Sequence, residues 1–407
     1  MRTGYPEDVV RALRPGQRVY FQGGPGECEA FYNVLGDNPG LANGVELWSC
    51  LIPGINTQDY GSLPGSVRLT TFMASPALEP SIASGRTTVN AMPYSEIGAT
   101  MAATEFDVAI LHVAPPDRHG NCSFGIACDM PGLVWRNAKR RIAFVNARMP
   151  TLPDADFIPA DEIEFGVPID EPLLAAAASP GRTSGVLAEI ARLTAELVPD
   201  GATIQSGIGE APAAIVAALK LHRGLKVHSG IITQEYQTLM ESGAIDPGAE
   251  NITGVAWGDA AFYKWLPQSG FAFRSALVTH AHDELAKLTG FVSIGSALEV
   301  DLQGNLNLEW RSGRRISSAG GAPDYLRGAA GSPGGQAIIA LPATTSSGAS
   351  RIVPRLAAPS VPGDLVDTLV TEHGVARLKG LSLRARAEAI IAVAAPEHRG
   401  FLARGYS

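Results

Sequence analysis

A short apolar run at 203–206 breaks at Gly207, and Ile208, Gly209, Glu210, Ala211 and Pro212 follow it. Strong helix formers then fill 213–219. Pro212 suits the first turn of a helix, where a missing N–H costs nothing. Gly207 and Gly209 leave backbone amides bare, and the start of a helix carries partial positive charge. Such a turn can receive a phosphate or the oxyanion of an acyl-transfer step. A Gly-x-Gly turn between strand and helix can equally be no more than a tight connection. Glu210 divides the same way. It is either a carboxylate that steadies the helix start or a base or nucleophile at the mouth of a site.

A second glycine cluster lies at 313–335, where Gly320, Gly321, Gly328, Gly331, Gly334 and Gly335 surround Asp324 and Arg327. It precedes an apolar run at 336–344 and reads as a long functional loop, with a flexible linker as the alternative. His280, His282 and Asp283 have the types of metal ligands. No third and fourth ligand stand at a recognisable spacing, so they read as surface or helix-start residues and no metal is expected. His228 closes a short strand at 225–229 and reads as a satisfied polar residue. Ser123, Ser206 and Ser229 belong to no G-x-S-x-G elbow, and no Walker A or kinase set is present.

The elements that would position these residues alternate between strand and helix. Runs at 17–22, 107–114 and 141–147 read as buried strands, and the first leads through Gly23, Gly24 and Gly26 into a helix near 28–35. Segments 184–198 and 382–394 read as helices, and 336–344 and 367–376 as later strands. Strands alternating with helices imply βαβ units and parallel sheets. Residues 150–185, rich in Pro, Asp and Ala, read as a connection, which gives domains at 1–180 and 181–407.

The chain has 407 residues, a net charge of −8 and no basic run, which argues against nucleic acid as its partner. No apolar stretch is long enough to cross a membrane, and no signal core opens the sequence. Cys28, Cys50, Cys122 and Cys128 read as free thiols of a reducing compartment, so a cytoplasmic location is expected.

Several long motifs occur in a familiar order: 107–125, 145–150, 204–219, 297–307, 320–329, 334–354, 370–387 and 395–402. On these the chain resembles the acetyl-CoA hydrolase/4-hydroxybutyrate CoA-transferase family, within the class I CoA-transferases. The resemblance implies two open parallel-sheet α/β domains with the active site between them, and a homodimer. It implies that acyl-CoA and a small carboxylate are the substrates and that no other cofactor is used. Coenzyme A would lie along Gly207, Ile208, Gly209, Glu210 and Ala211, helped by Gly320, Gly321 and Asp324. It also implies a ping-pong mechanism through a glutamyl-CoA thioester.

The resemblance fails at that glutamate. Segment 225–245 matches the family's segment without gaps, and His228 and Ser229 precede the key position, but the position itself is Gly230. Three readings follow. Another carboxylate replaces the missing one, Glu210 first and Glu235 second. Or the space at Gly230 admits water or a bulkier acyl group, and the protein hydrolyses or transfers acyl groups without a covalent glutamyl step. Or the chain binds acyl-CoA without acting on it.

Overall fold

The structure, a computed structural model, describes residues 1–177 and 184–405. The boundary expected at 180/181 lies outside these residues. Two compact units emerge. One contains Met1–Ala177, Ile252–Thr279 and Ile316–Ser318, and the other contains Ala178–Asn251, His280–Arg315 and Ala319–Ser407. The segment 252–279 therefore packs with the amino-terminal unit, whereas chain order alone had assigned it to the second.

The first unit is built on eight parallel strands: β1 (Arg2–Thr3), β2 (Arg18–Phe21), β3 (Glu46–Trp48), β4 (Arg68–Thr71), β5 (Thr87–Val89), β6 (Phe106–Val113), β7 (Ala138–Asn146) and β8 (Phe165–Ile169). Their spatial order is β1-β8-β7-β6-β2-β3-β4-β5. Every residue of β6 except Asp107 is buried, as expected of a strand covered on both faces. Strand β8 lies inside the stretch expected to be an irregular connection; Phe165 and Val167 bury there as it pairs with β7. Proline and acidic residues flank β8 and hide its short alternating pattern.

The second unit orders its strands β10-β9-β11-β12-β13-β14, where β9 is Thr203–Ser206, β10 Lys226–Thr233, β11 Phe291–Gly295, β12 Gln336–Ala340, β13 Thr368–Thr371 and β14 Gly374–Arg377. All pair in parallel except the β13–β14 hairpin. Helices α1 (Gly185–Ala195), α2 (Glu210–Ala218), α3 (Gln234–Glu241), α4 (Ala322–Gly331) and α5 (Leu383–Ala392) accompany the sheet. Ser184 caps α1 by accepting from the Leu187 amide. One continuous apolar core joins Phe291, Leu326, Ile339, Leu369 and Ile390.

The expected long loop at 313–335 is a correction. Its Ala322–Gly331 stretch is α4. Pro323 and Asp324 occupy its first turn, and Tyr325, Leu326 and Ala329 bury one face. The glycines mask a helix because two of them, Gly321 and Gly328, sit where side chains of neighbouring elements press on the backbone.

Candidate functional site

Parallel strands expose their amides and the loops that follow at the carboxyl edge of the sheet, which is where ligands of open α/β folds bind. Strand β9 ends at Ser206 and α2 begins at Glu210, so 207–209 is a three-residue turn at that edge. Gly209 has φ +123°, a conformation that side-chain-bearing residues rarely adopt. Gly207 is different. A Cβ there would meet nothing closer than 3.9 Å, so its side is open, and its own amide donates to the Ile294 carbonyl.

The turn fronts a groove of about 400 Å³ lined by Ile208, Glu210, Leu298, Leu308, Arg311 and Arg351 among others. Glu210 is exposed there, in the first turn of α2. Burial and the neighbouring Arg311 charge both push the Arg351 guanidinium below its usual range. Two cations crowded into one groove repel each other, and an anion between them relieves that repulsion. Neither arginine stood out in the sequence as a site residue, because no local motif connects Arg311 and Arg351 to 207–211.

Gly230 lies on the neighbouring strand. Thr203 pairs with Lys226 and Ile204 with Val227. Ser206 ends β9, and Ser229 stands in β10 immediately before Gly230. The Tyr236 hydroxyl bonds Ser206 at 2.8 Å and also interacts with Ser229. The glycine turn and Gly230 thus directly follow Ser206 and Ser229, the two serines joined through Tyr236.

No vacancy exists at Gly230. A Cβ there would stand 2.4 Å from Cε1 and 2.7 Å from Nε2 of His280, and 2.6 Å from the Tyr325 hydroxyl. An imidazole and a phenol fill the room a side chain would need at this position. Gly321 faces the same ring, with its Cβ direction 2.6 Å from His280 Nε2. His280 thus rests edge-on against two glycines, with the Tyr325 ring 4.7 Å away centroid to centroid. Each of Gly207, Gly230 and Gly321 stays partly exposed, so the corner is reachable.

His280 is buried, at 5% exposure, which corrects its reading as a surface or helix-start residue. His282 and Asp283 do open a short helix and are exposed. Burial, aided by the nearby His228 charge, lowers the His280 pKa to about 3, so the ring is neutral at any working pH. His228 is itself buried, inside β10 rather than at the end of a strand. Gln205 and Ser293 complete a polar layer, bonded at 2.8 Å.

The other expected residues fall around this corner. Gly320 is buried with φ +58°, and Asp324 is buried in the first turn of α4. Glu235 sits in the first turn of α3, where its carboxylate accepts the Thr233 hydroxyl at 2.5 Å. That bond makes it a helix-start group. Neither Glu235 nor Glu210 is among the atoms nearest the Gly230 Cβ direction. Among the described residues no cluster of three or more His, Cys, Asp or Glu side chains could hold a metal.

Comparison with known proteins places these features in context. The profile of the acetyl-CoA hydrolase/transferase C-terminal domain matches residues 258–406. The chain is 32% identical over 408 residues to the 4-hydroxybutyrate coenzyme A transferase of Clostridium kluyveri, an alignment covering 97% of this chain and 94% of that one. The crystal structure of RipA from Yersinia pestis superposes with a TM-score of 0.91 at 26% identity, covering 99% of this chain and 96% of that one. The 4-hydroxybutyrate CoA-transferase of Porphyromonas gingivalis superposes with a TM-score of 0.82 at 28% identity and the same coverage.

Proposed function

We propose, for a chain that belongs to the acetyl-CoA hydrolase/4-hydroxybutyrate CoA-transferase family, that it transfers coenzyme A between a small acyl-CoA and a carboxylate. One observation carries this reading beyond family membership. The turn 207–209, with Ile208 and Gly209 exposed, opens onto a groove that holds Arg311 and Arg351. Exposed amides and two cations suit the phosphates and the developing thioester oxyanion of an acyl-CoA. Coenzyme A lies along 207–211, with 320–324 closing on it, and acts as substrate. Exchange of a thioester against a carboxylate needs no metal or prosthetic group. No helix among the described residues is long and apolar enough to cross a membrane. We place the protein in the cytoplasm as a homodimer, on its free buried thiols and on the family resemblance.

The test is incubation with acetyl-CoA or butyryl-CoA, with and without succinate, acetate or 4-hydroxybutyrate. New acyl-CoA without free thiol is the expected result. Free thiol without an acceptor makes the protein a hydrolase instead. Neither product, with no coenzyme A binding by calorimetry, overturns the reading. Glu210 has its own test. Its exposed place at the helix start predicts that Glu210→Gln lowers turnover less than about tenfold, through a weaker helix start. A loss of several orders of magnitude would make it the attacking carboxylate.

A further inference from the structure

The geometry points to His280 as a catalytic group in the place of the family's glutamate side chain: its ring donates an N–H to the thioester carbonyl while the acceptor carboxylate attacks directly, with both substrates bound. This inference rests on the transfer reading above and replaces its covalent step.

The argument begins with volume. Extending any side chain from Gly230 drives it into His280 and Tyr325, at 2.4 and 2.6 Å. A ring, unlike the tip of a lysine, cannot swing aside without leaving its own packing. Gly321 presses the same ring from another element at 2.6 Å. Two glycines are therefore shaped to one imidazole, and the space a carboxylate would fill in the family holds His280 Nε2.

Chemistry follows from what that nitrogen can do. A neutral imidazole has one donor and one acceptor nitrogen. With Nε2 protonated, the ring offers a hydrogen bond at the corner formed by the partly exposed Gly230 and Gly321. A donor that never becomes cationic is the form in which a neutral histidine polarises a carbonyl. Burial keeps it in that form. The exposed Ile208 and Gly209 of the glycine turn supply further amide donors.

The reaction balances without a protein nucleophile. An oxygen of the acceptor carboxylate attacks the thioester carbonyl. The C–S bond breaks, coenzyme A leaves as the thiolate, and a mixed anhydride of the two acids remains. The thiolate then attacks the carbonyl that came from the acceptor. The other C–O bond of the anhydride breaks, and the original acid leaves as its carboxylate. No proton is gained or lost overall, and the His280 N–H stabilises each tetrahedral oxyanion in turn.

Initial rates measured against both substrates test the order of events. Intersecting double-reciprocal lines are expected, and intact-protein mass spectrometry after acyl-CoA alone should show no covalent adduct. Parallel lines, or a borohydride-trapped thioester on Glu210, Glu235 or any other glutamate, would overturn the inference while leaving coenzyme A transfer intact. Failure of all exchange would overturn both. His280→Ala should lower kcat by about 10²- to 10³-fold with KM nearly unchanged. His280→Gln, which keeps an N–H donor, should recover much of that loss. Unchanged kcat in a folded His280→Ala protein, or a Gln variant no better than Ala, would remove His280 from the chemistry. The combined change Gly230→Glu, His280→Ala and Tyr325→Phe removes both groups that occupy the space. It should convert the kinetics to parallel lines, with a trapped thioester at position 230.

Discussion

At the scale of single residues, the corner is defined by a glycine and the ring packed against it. Gly230 carries no side chain, and His280 occupies the room one would need, with Nε2 2.7 Å from the Cβ direction. Neither residue makes sense alone. Gly230→Ala should therefore cost about 1–3 kcal/mol by overpacking. Denaturant melts of Gly230→Ala, His280→Ala and the double variant would show non-additivity, because the smaller residue at 280 relieves the part of the clash that the ring makes. Additive losses would mean that the ring yields readily. A second histidine sets a pH dependence. The buried His112 ring contacts the Gly26 carbonyl through Nδ1 at 3.1 Å and the Asn146 amide through Nε2 at 3.0 Å. The amide nitrogen donates, so the ring is neutral with its proton on Nδ1, and burial lowers its pKa to about 4. The folded pKa is depressed, so its contribution is complete above pH 6.5, the unfolded value. It is lost as the pH falls toward 4, by about 3 kcal/mol. Buried Asp129 runs the other way: burial raises its pKa to about 6, and its penalty eases as the pH falls below 6. The wild-type profile mixes the two. The difference between wild type and His112→Gln in urea melts at pH 7 and 4.5 isolates the histidine, and it should narrow at the lower pH.

At the scale of elements, the working unit is strand β9, turn 207–209 and helix α2. Gly209 holds φ +123°, and its carbonyl receives the Ala213 amide as the helix starts. Gly209→Ala should cost about 1–2 kcal/mol for the left-handed backbone and weaken coenzyme A binding in calorimetry by roughly tenfold as the amides turn away. Gly207→Ala, in open space, should spare stability and affect binding alone. This unit was legible in the sequence because its signals are local: an apolar strand, two glycines, an early proline and helix formers. Most strands of the two sheets were legible for the same reason. Two elements were not. Helix α4 hid behind glycines that pack against His280 and Leu285, a requirement imposed by residues about forty positions away. Strand β8 hid because three of its five residues are buried and its flanks look like a linker. The corner of His280, Tyr325 and Gly321 escaped for the deepest version of that reason. Its residues are separated by long stretches of chain, and no spacing rule joins them.

At the scale of the whole molecule, the chain is threaded rather than divided. The second unit follows 178 in sequence, yet 252–279 belongs to the first. That segment carries Phe262, Tyr263, Phe271 and Phe273, all buried. Its strand 271–273 is bridged to Ala155, and the Arg274 guanidinium bonds Asp154 at 2.7 Å. A fragment of 184–405 would keep the glycine turn, Gly230, His280 and α4, and so the whole candidate corner. It would also lose the Leu174 carbonyl that accepts the Tyr263 hydroxyl, the Ala155 bridge to Phe273 and the Asp154 partner of Arg274, and with them burial worth about 1.5–3 kcal/mol for each large side chain uncovered. The expected outcome is a fragment that aggregates or binds a hydrophobic dye strongly when expressed alone. Co-expression with 1–177 should restore solubility and coenzyme A binding. The intact chain should unfold in one calorimetric transition, because neither unit completes its core from a continuous stretch of sequence. A soluble, coenzyme A-binding 184–405 fragment would show instead that 252–279 can be released without cost.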